Sequence, residues 1–96
     1  MLKIDKNLNG RSLRISLTGE IDSITAPELD REVQDLENID EVTFDLKGLA
    51  YTSSAGLRVI MSLKRRMAGR PLKFENIGIE VREVLDMTGS SALLGL

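Results

Sequence analysis

Ninety-six residues, 42% hydrophobic and 29% charged with a net charge of −2, point to one small soluble globular domain over residues 1–96, able to bury roughly 60–65% of its unfolded surface. Histidine and cysteine are both absent, which removes disulfides, thiolate chemistry, a Ser-His pair, a phosphohistidine relay and the usual zinc ligands. No apolar run approaches the roughly 20 residues that span a bilayer, and no signal-peptide pattern opens the chain, so the expected setting is cytoplasmic, away from membranes.

In chain order, Leu2 and Ile4, then Leu13, Ile15 and Leu17, alternate apolar with polar across Asn9-Gly10, the signature of an antiparallel hairpin. Its turn is expected over Asn7–Arg11. Gly19 to Ser23 leads to a helix start, where Thr25 and Glu28 match a capping box with Pro27 in the first turn. Ala26, Leu29, Val33 and Leu36 recur at helical spacing, and the helix is expected to end near Asn38. A strand over Glu41–Leu46 follows, and then a loop over Leu49–Ser54. A second helix over Ala55–Ala68 carries Leu57, Ile60, Met61, Leu63 and Met67 inward and Arg58, Ser62, Arg65 and Arg66 outward; Gly69 and Pro71 close it. Leu72–Asn76 reads as a strand, and Val81, Val84 and Leu85 as a third helix stopped by Gly89. Ser90 or Ser91 is expected to cap a short final turn.

The order β-β-α-β-α-β-α-α implies an α/β fold: a mixed, mostly parallel sheet of four to five strands with about four helices. Functional groups in such sheets gather beyond the carboxyl ends of the parallel strands. Two segments are expected there, Gly19–Thr25 and Leu49–Ser54, which would bring Asp22 and Ser23 close to Ser53 and Ser54.

Charge divides along the chain. From Glu20 to Asp45 every charged residue but Arg31 is acidic, and from Lys47 to Lys73 every one is basic. The division either gives a dipolar field that orients a protein partner or marks solvated faces that neutralise each other. With 3% aromatic residues and a negative net charge, direct nucleic-acid binding is not expected. With no histidine and no Ser-x-x-Lys motif, neither is catalysis, a metal site or a cofactor.

Tyr51-Thr52-Ser53-Ser54-Ala55-Gly56-Leu57-Arg58 sets a run of hydroxyls where a strand ends and a helix begins. A helix N-terminus has unpaired N–H groups and partial positive charge. The run is therefore either a structural cap or a place where a phosphate is attached or bound. Asp22 either bonds backbone N–H groups in its loop or meets a partner.

Leu17-Thr18-Gly19-Glu20-Ile21-Asp22 with Thr25-Ala26, then Asp45-Leu46 and Tyr51-Thr52-Ser53-Ser54-Ala55-Gly56-Leu57, resemble the STAS domain family, and within it the stand-alone bacterial anti-sigma factor antagonists. The resemblance implies a monomeric antagonist that, unphosphorylated, binds an anti-sigma factor serine kinase and so frees a sigma factor. Phosphorylation weakens the complex, and a PP2C-type phosphatase restores it. The accepting serine, two residues before the Gly-Leu pair, corresponds to Ser54, with Ser53 as the second candidate. Asp22, Ser23, Thr25, Thr52, Ser53, Ser54 and Arg58 are the implied partner-binding residues. Well-known members carry aspartate at the position of Ser53, which bears on kinase choice, and some continue their last helix further. The alternative is a STAS interaction subunit of a transporter or signalling scaffold that has no phosphate switch.

Overall fold

Alternation in the two central strands decides the architecture. The computed structural model describes residues 1–96. In β2 (Ser12–Ile21) Leu13, Ile15 and Leu17 are buried, and in β3 (Glu41–Thr52) Val42, Phe44 and Leu46 are. Leu13 pairs with Val42 and Ile15 with Phe44 in parallel register. β1 (Leu2–Asn9) lies antiparallel on the other side of β2, and β4 (Leu72–Glu75) runs parallel to β3. The sheet thus has four strands in the order β1-β2-β3-β4, the lower of the expected numbers.

The alternate residues form a polar ladder on the opposite face. Ser12 donates to Glu41 at 2.8 Å, and Arg14 bridges Asp45 at 3.1 Å and Glu75 at 2.8 Å. A strand period of two sends apolar and polar residues to opposite faces, so all the helices cover one side. They are α1 (Ala26–Glu32), α2 (Ser54–Met67), α3 (Ile79–Met87) and α4 (Ser90–Leu93). One cluster of 20 buried residues joins them to the sheet. No helix is long and apolar enough to cross a membrane.

Several boundaries differ from expectation for physical reasons. The hairpin turn is only Gly10-Arg11, since Asn9 still pairs with Ser12 and Gly10 takes φ +65°. α1 stops at Glu32 rather than near Asn38, although Val33, Leu36 and Ile39 stay buried. Arginines of the α2 region claim the carbonyls that a longer helix would use. Arg66 donates to Val33 O at 2.6 Å, while Arg70 donates to Leu36 O at 2.9 Å and to Ile39 O. Arg66, expected on the outer face of α2, is half-buried for that reason and also faces Asp30 at 3.7 Å.

β3 continues six residues past Leu46 to Thr52. Register shifts in its pairing with β2, between Ser16 and Thr18 and between Gly19 and Glu20, keep the two strands together. Gly48 is needed there, because a Cβ would lie 2.7 Å from Thr18 Oγ1. The left-handed residue that closes α2 is Ala68, at φ 52°, followed by Gly69. Ser90 and Ser91 are not caps. Both are buried, with Ser90 bonded to Thr88 and Ser91 donating to Asp86.

Candidate functional site

The carboxyl ends of β2 and β3 meet at one corner of the sheet. Ile21 pairs with Thr52, and Ser53 N–H donates to Ile21 O at 2.8 Å. From there the chain turns into α1 on one side and α2 on the other. Gly19–Ile21 and Leu49–Thr52, expected as loops, are strand.

Asp22 braces the turn before α1. Its Oδ1 accepts from Ile24 N–H and Thr25 N–H, each at 2.9 Å. These bonds, the one from Thr25 first, hold its carboxylate below the usual range. Of the two readings of Asp22, the backbone-bonding one describes this conformation. Thr25 precedes the helix, but its hydroxyl makes no cap bond and the capping box with Glu28 does not form. Thr25 Oγ1 instead accepts from Asp22 N–H at 2.9 Å and lies 3.1 Å from Glu20 O. The helix start is therefore built from inside the turn.

α2 opens with Ser53 as N-cap, at φ −91° and ψ 174°, and Ser54 as its first helical residue. Leu57 N–H reaches Ser53 O at 3.1 Å, while the N–H groups of Ser54, Ala55 and Gly56 have no protein acceptor. The Ser53 hydroxyl is sealed from solvent and unpaired. Ser54 is exposed. Gly56 lets the helix sit directly on the sheet corner, since a Cβ there would lie 2.4 Å from Thr52 Oγ1 and 2.6 Å from Ile21 Cγ2. The close helix-to-sheet packing expected of Gly56 is what the structure contains.

Between α1 and the first turns of α2 lies an open groove of about 320 Å³, lined by Ser23, Ala26, Pro27, Asp30, Ala55, Arg58, Val59 and Ser62. Ser23 and Arg58 therefore share one surface, and Ser54 stands directly before Ala55 at its edge. Thr25 and Thr52 do not reach that surface. They are 6% and 1% exposed, and the Thr25 hydroxyl is engaged within the turn.

Ile24 is 80% exposed on the turn that Asp22 braces. Its signal in the sequence is an isoleucine between Ser23 and Thr25, outside the stripe of α1. An exposed apolar side chain on a fixed turn beside a groove suits a protein contact.

Known proteins share this fold. The anti-sigma-B factor antagonist of Bacillus subtilis (strain 168) is 26% identical over 98 residues, spanning 99% of this chain and 90% of the relative. An anti-sigma factor antagonist from Mycobacterium paratuberculosis superposes with a TM-score of 0.87 at 19% identity, covering 97% of this chain and 82% of the other. The anti-sigma factor antagonist SpoIIAA in its unphosphorylated form superposes with a TM-score of 0.81 at 15% identity, covering 91% and 81%. The phosphorylated form of SpoIIAA, a Bacillus cell fate determinant, superposes at 0.76 and 15%, covering 97% and 86%. These structural likenesses carry the α/β fold expected from the element order. The family model described as "Mlab, STAS domain" matches residues 4–95, and the chain belongs to the STAS domain family.

Proposed function

We propose that this chain is an anti-sigma factor antagonist switched by phosphorylation on Ser54. As one monomeric domain, the unphosphorylated form docks on an anti-sigma factor serine kinase and frees a sigma factor. The kinase transfers the γ-phosphoryl group of ATP to Ser54 Oγ: the new P–O bond forms as the bond to ADP breaks, and the hydroxyl proton passes to the kinase. A PP2C-type phosphatase hydrolyses the ester. The chain contributes a surface and an acceptor, and no catalytic group or cofactor of its own.

The observation that carries this reading is the contrast between adjacent hydroxyls. Ser54 is exposed at the first helical position, whereas the Ser53 oxygen is sealed. A kinase reaching this corner meets Ser54, and Ser53 is the poorer acceptor. A phosphate adds about −1.5 to −2 charges at a helix terminus that tolerates anions, so the domain stays folded. Beside a docking groove the same group brings bulk and a desolvation cost, and about 2.7 kcal/mol weakens a complex ~100-fold. Blocking the interface needs less free energy than refolding. Ser23, Ile24, Ser54 and Arg58 form the partner-facing set, on the corner that Asp22 braces.

Incubation with the cognate anti-sigma factor kinase and ATP, followed by intact mass, tests the site. One added phosphate on the wild type and none on Ser54→Ala is expected; equal labelling of both removes Ser54 from the mechanism. The match to a STAS domain model is met equally by a second reading, a STAS interaction subunit of a transporter or scaffold with no switch. Co-purification with transporter subunits instead of a kinase-like anti-sigma factor would select it.

A further inference from the structure

Ser54 and Arg58 stand four residues apart, both exposed, on α2. Side chains at that spacing meet on a helix surface, and an anion N-terminal to the cation is the favourable order. Arg58, like Arg31 and Arg65, makes no side-chain hydrogen bond or ion pair within the protein, whereas Arg11, Arg14, Arg66, Arg70 and Arg82 are engaged. Ser53 has the backbone of a capping residue, yet its hydroxyl is buried and bonds nothing. An N-cap serine ordinarily accepts from the second or third helical N–H, and a buried polar group without a partner is rare. The N–H groups of Ser54, Ala55 and Gly56 are idle as well. An unpaired cation, an unpaired hydroxyl and unpaired N–H donors thus lie within about one helical turn of one exposed serine.

We propose that these groups are a bed for a phosphoryl group on Ser54, in which Arg58 holds the phosphate against the first turn of α2 and the Ser53 hydroxyl, sealed in the unphosphorylated chain, turns outward to donate to it. The inference rests on Ser54 as the acceptor and adds how the switch acts. The phosphate draws the Arg58 guanidinium out of the groove that it lines, through the charge-assisted, fork-like pairing that arginine makes with phosphate. Modification then changes both the charge and the shape of the docking face while the fold stays as it is.

Phosphoserine encoded at position 54 of the full chain makes the test independent of any kinase. Phosphorus NMR titration reads the second pKa of the phosphate, about 6 when solvated. In the folded chain it is expected below its value in concentrated urea. Arg58→Gln and Ser53→Ala each return it upward by about 0.3 unit, the size of a helix-face pair, and added salt shrinks the Arg58 share. A role limited to fold stability would leave the phosphate pKa where it was. In the unphosphorylated chain, Ser53→Ala is expected to keep or raise the melting temperature, because it removes a buried hydroxyl that bonds nothing. A phosphate pKa equal to the unfolded value, or one that ignores either substitution, overturns the proposal, as does a melting temperature lowered by Ser53→Ala. Failure of the kinase to modify Ser54 would overturn the functional reading and leave the NMR result standing.

Discussion

Gly56→Ala tests the seat on which the site is built. The added methyl lies 2.4 Å from Thr52 Oγ1, 2.6 Å from Ile21 Cγ2 and 3.1 Å from Ile21 Cβ. Thr52 and Ile21 are both buried, so neither can swing into solvent, and the helix must lift from the sheet corner. Overpacking of this kind costs about 1–3 kcal/mol, offset by up to ~1 kcal/mol because alanine is the better helix former. The net loss is about 1–2 kcal/mol. At about 4–8 °C per kcal/mol for a domain of this size, the melting temperature falls by roughly 5–15 °C. Thr52→Ala removes the nearest atom, so the double substitution Thr52→Ala/Gly56→Ala should lose less than the sum of the two singles, with a coupling of at least ~0.5 kcal/mol. Urea and thermal unfolding of the four proteins measure this cycle. A Gly56→Ala protein as stable as the wild type, or strictly additive losses, would refute the close approach and with it the placement of Ser54.

Further outcomes follow from the same corner and its supports. Ile24→Asp should weaken binding to the anti-sigma factor at least ~10-fold by calorimetry and leave the melting temperature unchanged, because the side chain touches solvent rather than core. Arg70→Ala strips the donors from Leu36 O and Ile39 O and should cost about 2–3 kcal/mol, with faster hydrogen exchange over residues 33–40. Arg70→Lys should not restore it, since an ammonium lacks the planar fork. Asp22 has a folded pKa below its unfolded one, from the N–H groups of Thr25 and Ile24. The unfolded state therefore binds more protons in that window, and stability falls as pH drops through the ordinary carboxylate range toward the folded pKa. In urea titrations at pH 6 and pH 3, Asp22→Asn should show a smaller loss than the wild type.

Local periodicity and turn chemistry sufficed for much of this fold. The Asn9-Gly10 hairpin and the stripe Leu57, Ile60, Leu63 and Met67, all buried, are properties of neighbours in sequence. So is the strand-to-helix step that presents Ser54. The end of α1 is not, because the carbonyls after Glu32 are satisfied by Arg66 and Arg70, 31 to 34 residues away. Val33 and Leu36 kept the look of a helical stripe while packing as irregular chain. The extension of β3 beyond the expected Glu41–Leu46 to Thr52 depends on register shifts in its pairing with β2, which lie outside the local sequence. At the site, the residue types were legible and their exposure was not. Thr25 and Thr52 are polar yet buried, Ile24 is apolar yet exposed, and only packing separates the Ser53 hydroxyl from that of Ser54.

The most direct measurement is the affinity of the anti-sigma factor for two forms of this chain, one with serine and one with encoded phosphoserine at position 54. Calorimetry should find tight binding of the first and binding ~100-fold weaker for the second, about 2.7 kcal/mol, with unchanged circular dichroism. Equal affinities would contradict the account, because the phosphate would then sit on a surface that the partner never covers.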